Sequence, residues 1–266
     1  MQVHANGIDI NYELAGEGDV LVLVHGAGDS LRMWWRQTPE FSKRYRVLTY
    51  DVRGFGATGL PDGDVNVDVL AADLRELLRA LDVDSAFVLG YSMGGRIALQ
   101  FALRQPEMAR ALVLANSSVG IGPAPEGAAE RRQALIDALR RGEIDAVAER
   151  MTELSFSPGV KERDPELFCR YAAIKRASEP QAFARVWEAM TKAGPADLSG
   201  LRCPTLIIAG ERDSFVSMEA ARATQAAIAG SRLEALPTGH AAAIEAPDEF
   251  NRIVVDFLAA VSSKPA

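Results

Sequence analysis

Three residues far apart in the chain carry the side chains needed to break an ester bond: Ser92, Asp213 and His240. Ser92 stands in Gly90-Tyr91-Ser92-Met93-Gly94, a G-x-S-x-G pattern that closes the apolar run AFVLG. Glycines on both sides of a serine fit a sharp strand-to-helix turn that exposes the hydroxyl, with the positive end of the next helix facing it. A serine hydroxyl is a weak nucleophile at neutral pH and needs a neighbouring base. Of the three histidines, His4 falls in an N-terminal hairpin and His25 directly follows a buried strand in VLVHGAG. His240, in LPTGHAAAIEAP, occupies a loop between the short run RLEAL and the last helix. A loop leaving a strand can bring its imidazole to the carboxyl edge of a sheet, so His240 is the expected base. That imidazole in turn needs an acceptor to fix its tautomer and stabilise its charged form. Asp213, in TLIIAGERDSFV, follows another apolar run, and Glu211 is its rival. Asp213 is preferred because it lies farther into the loop, where a short carboxylate can turn toward His240.

Acyl chemistry also requires donors for the negative oxygen of a tetrahedral intermediate, and backbone N–H groups supply about 3–4 kcal/mol each. The expected donors are the amide of Met93, presented by the serine turn, and the amide of Ala27 in His25-Gly26-Ala27-Gly28. His25 is expected to brace that loop and to transfer no proton.

These groups need a scaffold. Asn6-Gly7 signals a two-residue hairpin, and IDINYEL after it alternates as a half-solvated strand does. VLVLV (20–24), RVLTY (46–50), AFVLG (86–90), ALVLA (111–115) and TLIIA (205–209) are nearly continuous apolar runs, the pattern of strands covered on both faces. Between them, 67–83, 95–106 and 247–261 have helical spacing of apolar residues. Strands alternating with helices predict an α/β fold with a mainly parallel sheet. From about Gly120 to about Pro195 no strand-like run occurs, and a helical insertion of that length must sit on an edge or face as a lid. The core is therefore expected at 1–119 and 196–266 and the helical cap at 120–195. The tail SSKPA is expected to fray.

The bulk composition excludes several function classes. At 266 residues, 48% hydrophobic and 24% charged, the chain is an ordinary globular protein with a net charge of −7. That charge gives no reason to expect nucleic acid or an anionic membrane as partner. No apolar stretch reaches the roughly 18 residues of a membrane span. The start MQVHANGIDI lacks the basic and apolar regions of a signal peptide, which makes the cytoplasm the expected location. Cys169 and Cys203 lie outside any metal-ligand spacing and are read as small buried residues, so neither metal nor cofactor is expected.

HGAGDSLRMW, YDVRGFGATGLP, GYSMGG, CPTLIIAGERD and GHAAAIEAPDEFNRIVVDFL, in that order, resemble the motifs of the α/β-hydrolase superfamily nearly end to end. The chain order Ser92, Asp213, His240 is the one found there. The resemblance implies an eight-stranded, mostly parallel sheet flanked by helices, a cap inserted after the sixth strand, and a Ser92–His240–Asp213 triad. It also implies that Asp51, Arg53 and Gly54 hold a loop together near the site, and that Ser217 replaces a proline frequent in relatives. SLRMW, FSPG and NSSVGIG are similar to 3-oxoadipate enol-lactonases, although those enzymes commonly lack the pair at His25-Gly26. Hydrolases of carbon–carbon bonds often carry tryptophan after the catalytic histidine, where this chain has Ala241.

The expected function is thus a serine hydrolase that cleaves a small-molecule carboxylic ester or lactone through an acyl-enzyme. A carbon–carbon hydrolase or perhydrolase using the same triad is the alternative, and a small-molecule receptor on this fold is the alternative of another class. Dehalogenases and epoxide hydrolases need a carboxylate where Ser92 stands. Trp34, Phe156, Tyr171, Trp187 and Met190 are the candidate substrate contacts, with Phe168 and Phe183 as further large cap residues. Arg140, Arg141, Lys175 and Arg176 are read as a solvated helix face. Oligomeric state is not legible in the residues.

Overall fold

The computed structural model describes residues 1–263. β1 (Gln2–Ala5) and β2 (Ile8–Ala15) form the opening hairpin, and Asn6 and Gly7 between them take φ of 49° and 75°, the left-handed pair of a type I′ turn. β3 (Val20–Val24), β4 (Arg46–Tyr50), β5 (Ala86–Tyr91), β6 (Ala109–Ala115), β7 (Thr205–Gly210) and β8 (Arg232–Leu236) complete an eight-stranded sheet. Its order is β1-β2-β4-β3-β5-β6-β7-β8. β2 runs antiparallel to both β1 and β4, and every later pairing is parallel.

Helices cover both faces, which is why the strands read as unbroken apolar runs. Val22, Val24 and Val88 enter one core with Leu74 and Leu77 of the helix Val67–Ala80 and with Ile97 and Phe101 of the helix Met93–Arg104. Leu21, Leu23, Phe87 and Leu89 enter the other core with Trp34, Phe41 and, from the helix Pro247–Ser262, Phe250 and Val254. Each such side chain contributes about 1.5–3 kcal/mol by leaving water.

The topology fixes where a ligand can bind. β4 lies on one side of β3 and β5 on the other, so the strand order reverses at β3. At such a switch point the connections leave in opposite directions and a crevice opens beyond the carboxyl ends of the strands. The segments that enter this crevice are those after β3 and β5, beginning at His25 and Ser92.

Between β6 and β7 come five α-helices, Ala128–Arg140, Ile144–Ser155, Val160–Arg163, Pro165–Arg176 and Pro180–Thr191, and then the 3-10 turn Leu198–Gly200. Two of them show why they start where they do. Pro165 and Pro180 occupy first turns, where a missing N–H costs nothing, and the Asp164 and Glu179 carboxylates accept the next free amides. Among the described residues no strand interrupts this insertion.

Three details differ from the expectations. Cys169 is exposed rather than buried, because it falls on the outer side of the helix Pro165–Arg176. Cys203 is half-buried, and burial pushes its thiol up to about 11. A helix at Met218–Ala227 had no legible apolar stripe, since the face it buries consists of Ala220, Ala221 and Thr224. Ser217 caps this helix by accepting the Ala220 amide at 3.0 Å. The last helix ends at Ser262, and residues 264–266 of the tail expected to fray lie outside the described residues. Among the described residues no helix is long and apolar enough to cross a membrane.

Candidate active site

Ser92 follows β5 at once and precedes the helix Met93–Arg104, with φ 53° and ψ −116°. A residue other than glycine rarely takes such a conformation, which costs about 1–3 kcal/mol and persists only where the surroundings impose it. The flanking glycines supply that imposition. A Cβ on Gly90 would run into the Gly94 carbonyl, and one on Gly94 would strike the carbonyls of Val24 and His25. The turn is therefore packed directly against the end of β3. The Ser92 amide holds the Ala115 carbonyl at 2.9 Å, and the hydroxyl of Ser117 donates to the Ser92 carbonyl at 2.8 Å.

His240 Nε2 stands 2.8 Å from Ser92 Oγ, and its Nδ1 lies 2.8 and 2.9 Å from the two carboxylate oxygens of Asp213. The two side chains are 5% and 1% exposed. A carboxylate on Nδ1 keeps the proton on that nitrogen and leaves Nε2 free to accept from the serine. Glu211, the rival acceptor, is exposed. Asp213 is itself held by the amides of Phe215 and Val216 at 2.8 and 3.0 Å and by Asn116 Nδ2 at 3.1 Å. The imidazole is gripped between the rings of Tyr91 and Phe215, at centroid distances of 5.1 and 4.7 Å.

The segment after β3 is a tight turn in which the Asp29 amide donates to the Gly26 carbonyl at 3.2 Å. Gly28, at the third position, has φ 75°, as a type II turn requires. Ala27 is the second residue of that turn, and its amide takes no part in closing it. Met93 is the first residue of its helix, so its amide has no partner within the helix, whose first turn carries no acidic side chain. Both residues face the same cavity as Ser92 and His240. Two free amides beside a hydroxyl are suited to an oxyanion.

His25 braces this turn. Its Nδ1 donates to the Gly26 carbonyl at 2.8 Å, and its Nε2 accepts the Val52 amide at 2.9 Å. Burial lowers its pKa below the usual histidine value of 6.5, outweighing the opposing pull of Asp51. With one nitrogen donating and the other accepting, the ring is neutral and has no free lone pair for proton transfer. Asp51 fastens the neighbouring loops by accepting the amides of Leu31 and Ala57, each at 2.8 Å. Arg53 forms a buried pair with Asp73 at 2.6 Å.

The cavity over Ser92 measures about 360 Å³, within the range of small-molecule sites. Trp187 and Met190 form part of its wall. Trp34, Phe156 and Tyr171 do not. Trp34 is fully buried beneath the sheet beside Met33 and Phe41, because the 3-10 turn Leu31–Trp34 directs it inward. Phe156 packs edge-on against Tyr171 and also contacts Phe168, so its ring goes to the interior of the insertion. Tyr171 is fully buried and spends its hydroxyl on Asp29 and Tyr91. Lys175 overturns the expectation of a solvated face: it is 2% exposed and pairs with Asp29, whereas Arg140, Arg141 and Arg176 lie at the surface.

Sequence reasoning missed Asn116, Asp29, Phe215, Arg96 and Arg132, all of which reach the cavity. Asn116 had a legible signal, a polar residue directly after the apolar run ALVLA, at the carboxyl edge where ligands bind. Arg96 lies one helical turn after Ser92 and donates to the Gly194 carbonyl at 2.7 Å. Among the described residues no carboxylate pairs with it.

Comparison with known proteins identifies the fold. The family model of the alpha/beta hydrolase fold matches residues 19–247. 3-Oxoadipate enol-lactonase 2 of Acinetobacter baylyi is 29% identical over 253 residues, covering 94% of this chain and 93% of its own. A 2-hydroxy-6-oxo-2,4-heptadienoate hydrolase of Pseudomonas putida is 32% identical over 276 residues, covering 97% and 95%. Among solved structures, the enol-lactonase from Burkholderia xenovorans superposes with a TM-score of 0.91 at 28% identity, covering 97% of this chain and 100% of that one.

Proposed function

The chain belongs to the alpha/beta hydrolase family, and from that premise we propose that it is a serine hydrolase acting on a carboxylic ester or lactone through an acyl-enzyme. The observation that carries this reading is the hydrogen-bonded line from Ser92 Oγ through His240 to Asp213, opening into a cavity that Ala27 and Met93 also face. His240 Nε2 takes the serine proton as Oγ attacks the carbonyl carbon, and Asp213 stabilises the imidazolium. The oxyanion accepts from the Ala27 and Met93 amides, at a helix end that favours negative charge. Collapse expels the alkoxide, which takes the proton from His240. Water, activated by the same nitrogen, then releases the acid. Every step uses groups of this chain.

The five helices between β6 and β7 serve as the cap, with Trp187 and Met190 shaping the pocket. Arg96 and Arg132 on the wall suit a substrate that carries a carboxylate away from the scissile bond. The lactone branch is supported by the likeness to enol-lactonases. A second reading, hydrolysis of a carbon–carbon bond, is favoured by the 32% identity to a heptadienoate hydrolase. The test is turnover of p-nitrophenyl acetate, aromatic esters, γ- and δ-lactones and a 2-hydroxy-6-oxo-dienoate by purified protein. Ester or lactone turnover that vanishes in Ser92→Ala supports the first reading, and exclusive turnover of the dienoate replaces it with the second.

A further inference from the structure

The turn that carries Ala27 is fastened to the helical insertion as well as to the sheet. Lys175 reaches from the helix Pro165–Arg176 to Asp29, the last residue of the turn, with Nζ 2.6 Å from Oδ1 and the two side chains 2% and 0% exposed. Tyr171, one helical turn earlier, donates its hydroxyl to the other oxygen of Asp29 at 3.2 Å and accepts from Lys175 Nζ at 3.2 Å. Just past the helix, the Ser178 hydroxyl donates to the Gly28 carbonyl at 3.2 Å. The Phe183 ring fills the space where a side chain at Gly28 would stand. Burial holds the Tyr171 hydroxyl well above its ordinary pKa, so it stays a donor.

A buried ion pair adds little net stability, because desolvation offsets the attraction between the charges. What this one supplies is direction. Asp29 cannot turn without breaking two bonds to one helix, and its amide closes the turn in which Ala27 sits.

We propose that Lys175 is a positioning residue: acting through Asp29, it holds the Gly26–Asp29 turn so that the Ala27 amide faces the forming oxyanion. Oxyanion stabilisation then depends on the helix Pro165–Arg176 being docked on that turn. The inference rests on the serine-hydrolase reading above.

The test compares the wild type with Lys175→Met and with the double variant Lys175→Met/Asp29→Asn, which removes both charges of the pair and leaves neither partner as an unpaired buried charge. Three quantities are read: kcat and KM for p-nitrophenyl acetate, affinity for phenylboronic acid as a tetrahedral mimic, and amide hydrogen exchange over residues 25–31. In both variants kcat should fall about 10- to 100-fold, the range of a weakened oxyanion donor. KM should change less than about threefold, boronate affinity should weaken in parallel with kcat, and exchange in the turn should accelerate. A folded double variant with wild-type kcat and boronate affinity overturns the proposal, even if its melting temperature drops. Should the wild type turn over no ester or lactone, the hydrolase reading is what fails. Exchange in the turn still decides whether Lys175 holds it, and an unchanged rate in both variants overturns that as well.

Discussion

The amide of Ala241 donates to the carbonyl of Ser155 at 2.8 Å, so the residue after His240 is tied to the last residue of the helix Ile144–Ser155 in the insertion. Glu245 reinforces the tie: one carboxylate oxygen accepts the Gly239 amide at 2.9 Å and the Ser157 amide at 3.1 Å. The loop that positions the imidazole is thus shared between the sheet and the insertion. Glu245→Ala leaves two amides without their acceptor, at about 1–3 kcal/mol each where water cannot replace it. The expected result is a loss of about 2 kcal/mol in urea unfolding and a fall in kcat of at least tenfold, because His240 is no longer held in line with Ser92.

Asp213→Asn should lower kcat for an ester by about 10⁴-fold, since an amide facing Nδ1 favours the wrong tautomer of His240. Glu211→Ala, which alters an exposed side chain, should leave kcat within twofold. Parallel kinetics on the two proteins check the assignment, and comparable losses in both would contradict the geometry.

Ser92→Gly separates chemistry from strain. With φ 53° and ψ −116°, the wild-type residue holds a conformation glycine adopts freely. Relief of about 1–3 kcal/mol outweighs the extra unfolded-state freedom of glycine, about 0.5–1 kcal/mol. The variant should unfold at higher denaturant, by about 1 kcal/mol, while ester turnover disappears.

Trp34→Ala and Trp187→Ala should behave oppositely. Trp34 is enclosed in the core, so its removal should cost about 3–5 kcal/mol. Trp187 borders the cavity, and its removal should change KM for bulky esters by more than tenfold with a smaller loss of stability. Denaturation midpoints and a series of acyl chain lengths distinguish the two.

The pH dependence of stability follows from His25. Its folded pKa lies below the unfolded value of 6.5, so the unfolded chain binds a proton first. The stabilisation is complete above pH 6.5 and is lost as pH falls below it toward the folded pKa, with a slope of up to about 1.4 kcal/mol per pH unit. Replacing His25 by Asn removes that slope. Urea unfolding at pH 7.5 and pH 5 should therefore show a smaller difference in the variant than in the wild type.

Much of this protein could be read along the chain, because the relevant properties are local. Apolar runs of four or five residues between amphipathic segments required a covered parallel sheet, and AFVLG ending in Gly90-Tyr91-Ser92 required a turn with its hydroxyl exposed. The chain order Ser92, Asp213, His240 placed each candidate after its own strand, and the structure brings all three within hydrogen-bonding distance. What lines the cavity was not local. Lys175 and Asp29 are 146 positions apart and meet only because the insertion folds back over the first parallel strand. Trp34, Phe156 and Tyr171 are large and apolar on either side of a buried-or-lining choice that composition cannot make. That choice is set by the angle at which each helix lies on the sheet, a property of packing between distant segments, and it was made only when the whole chain had folded.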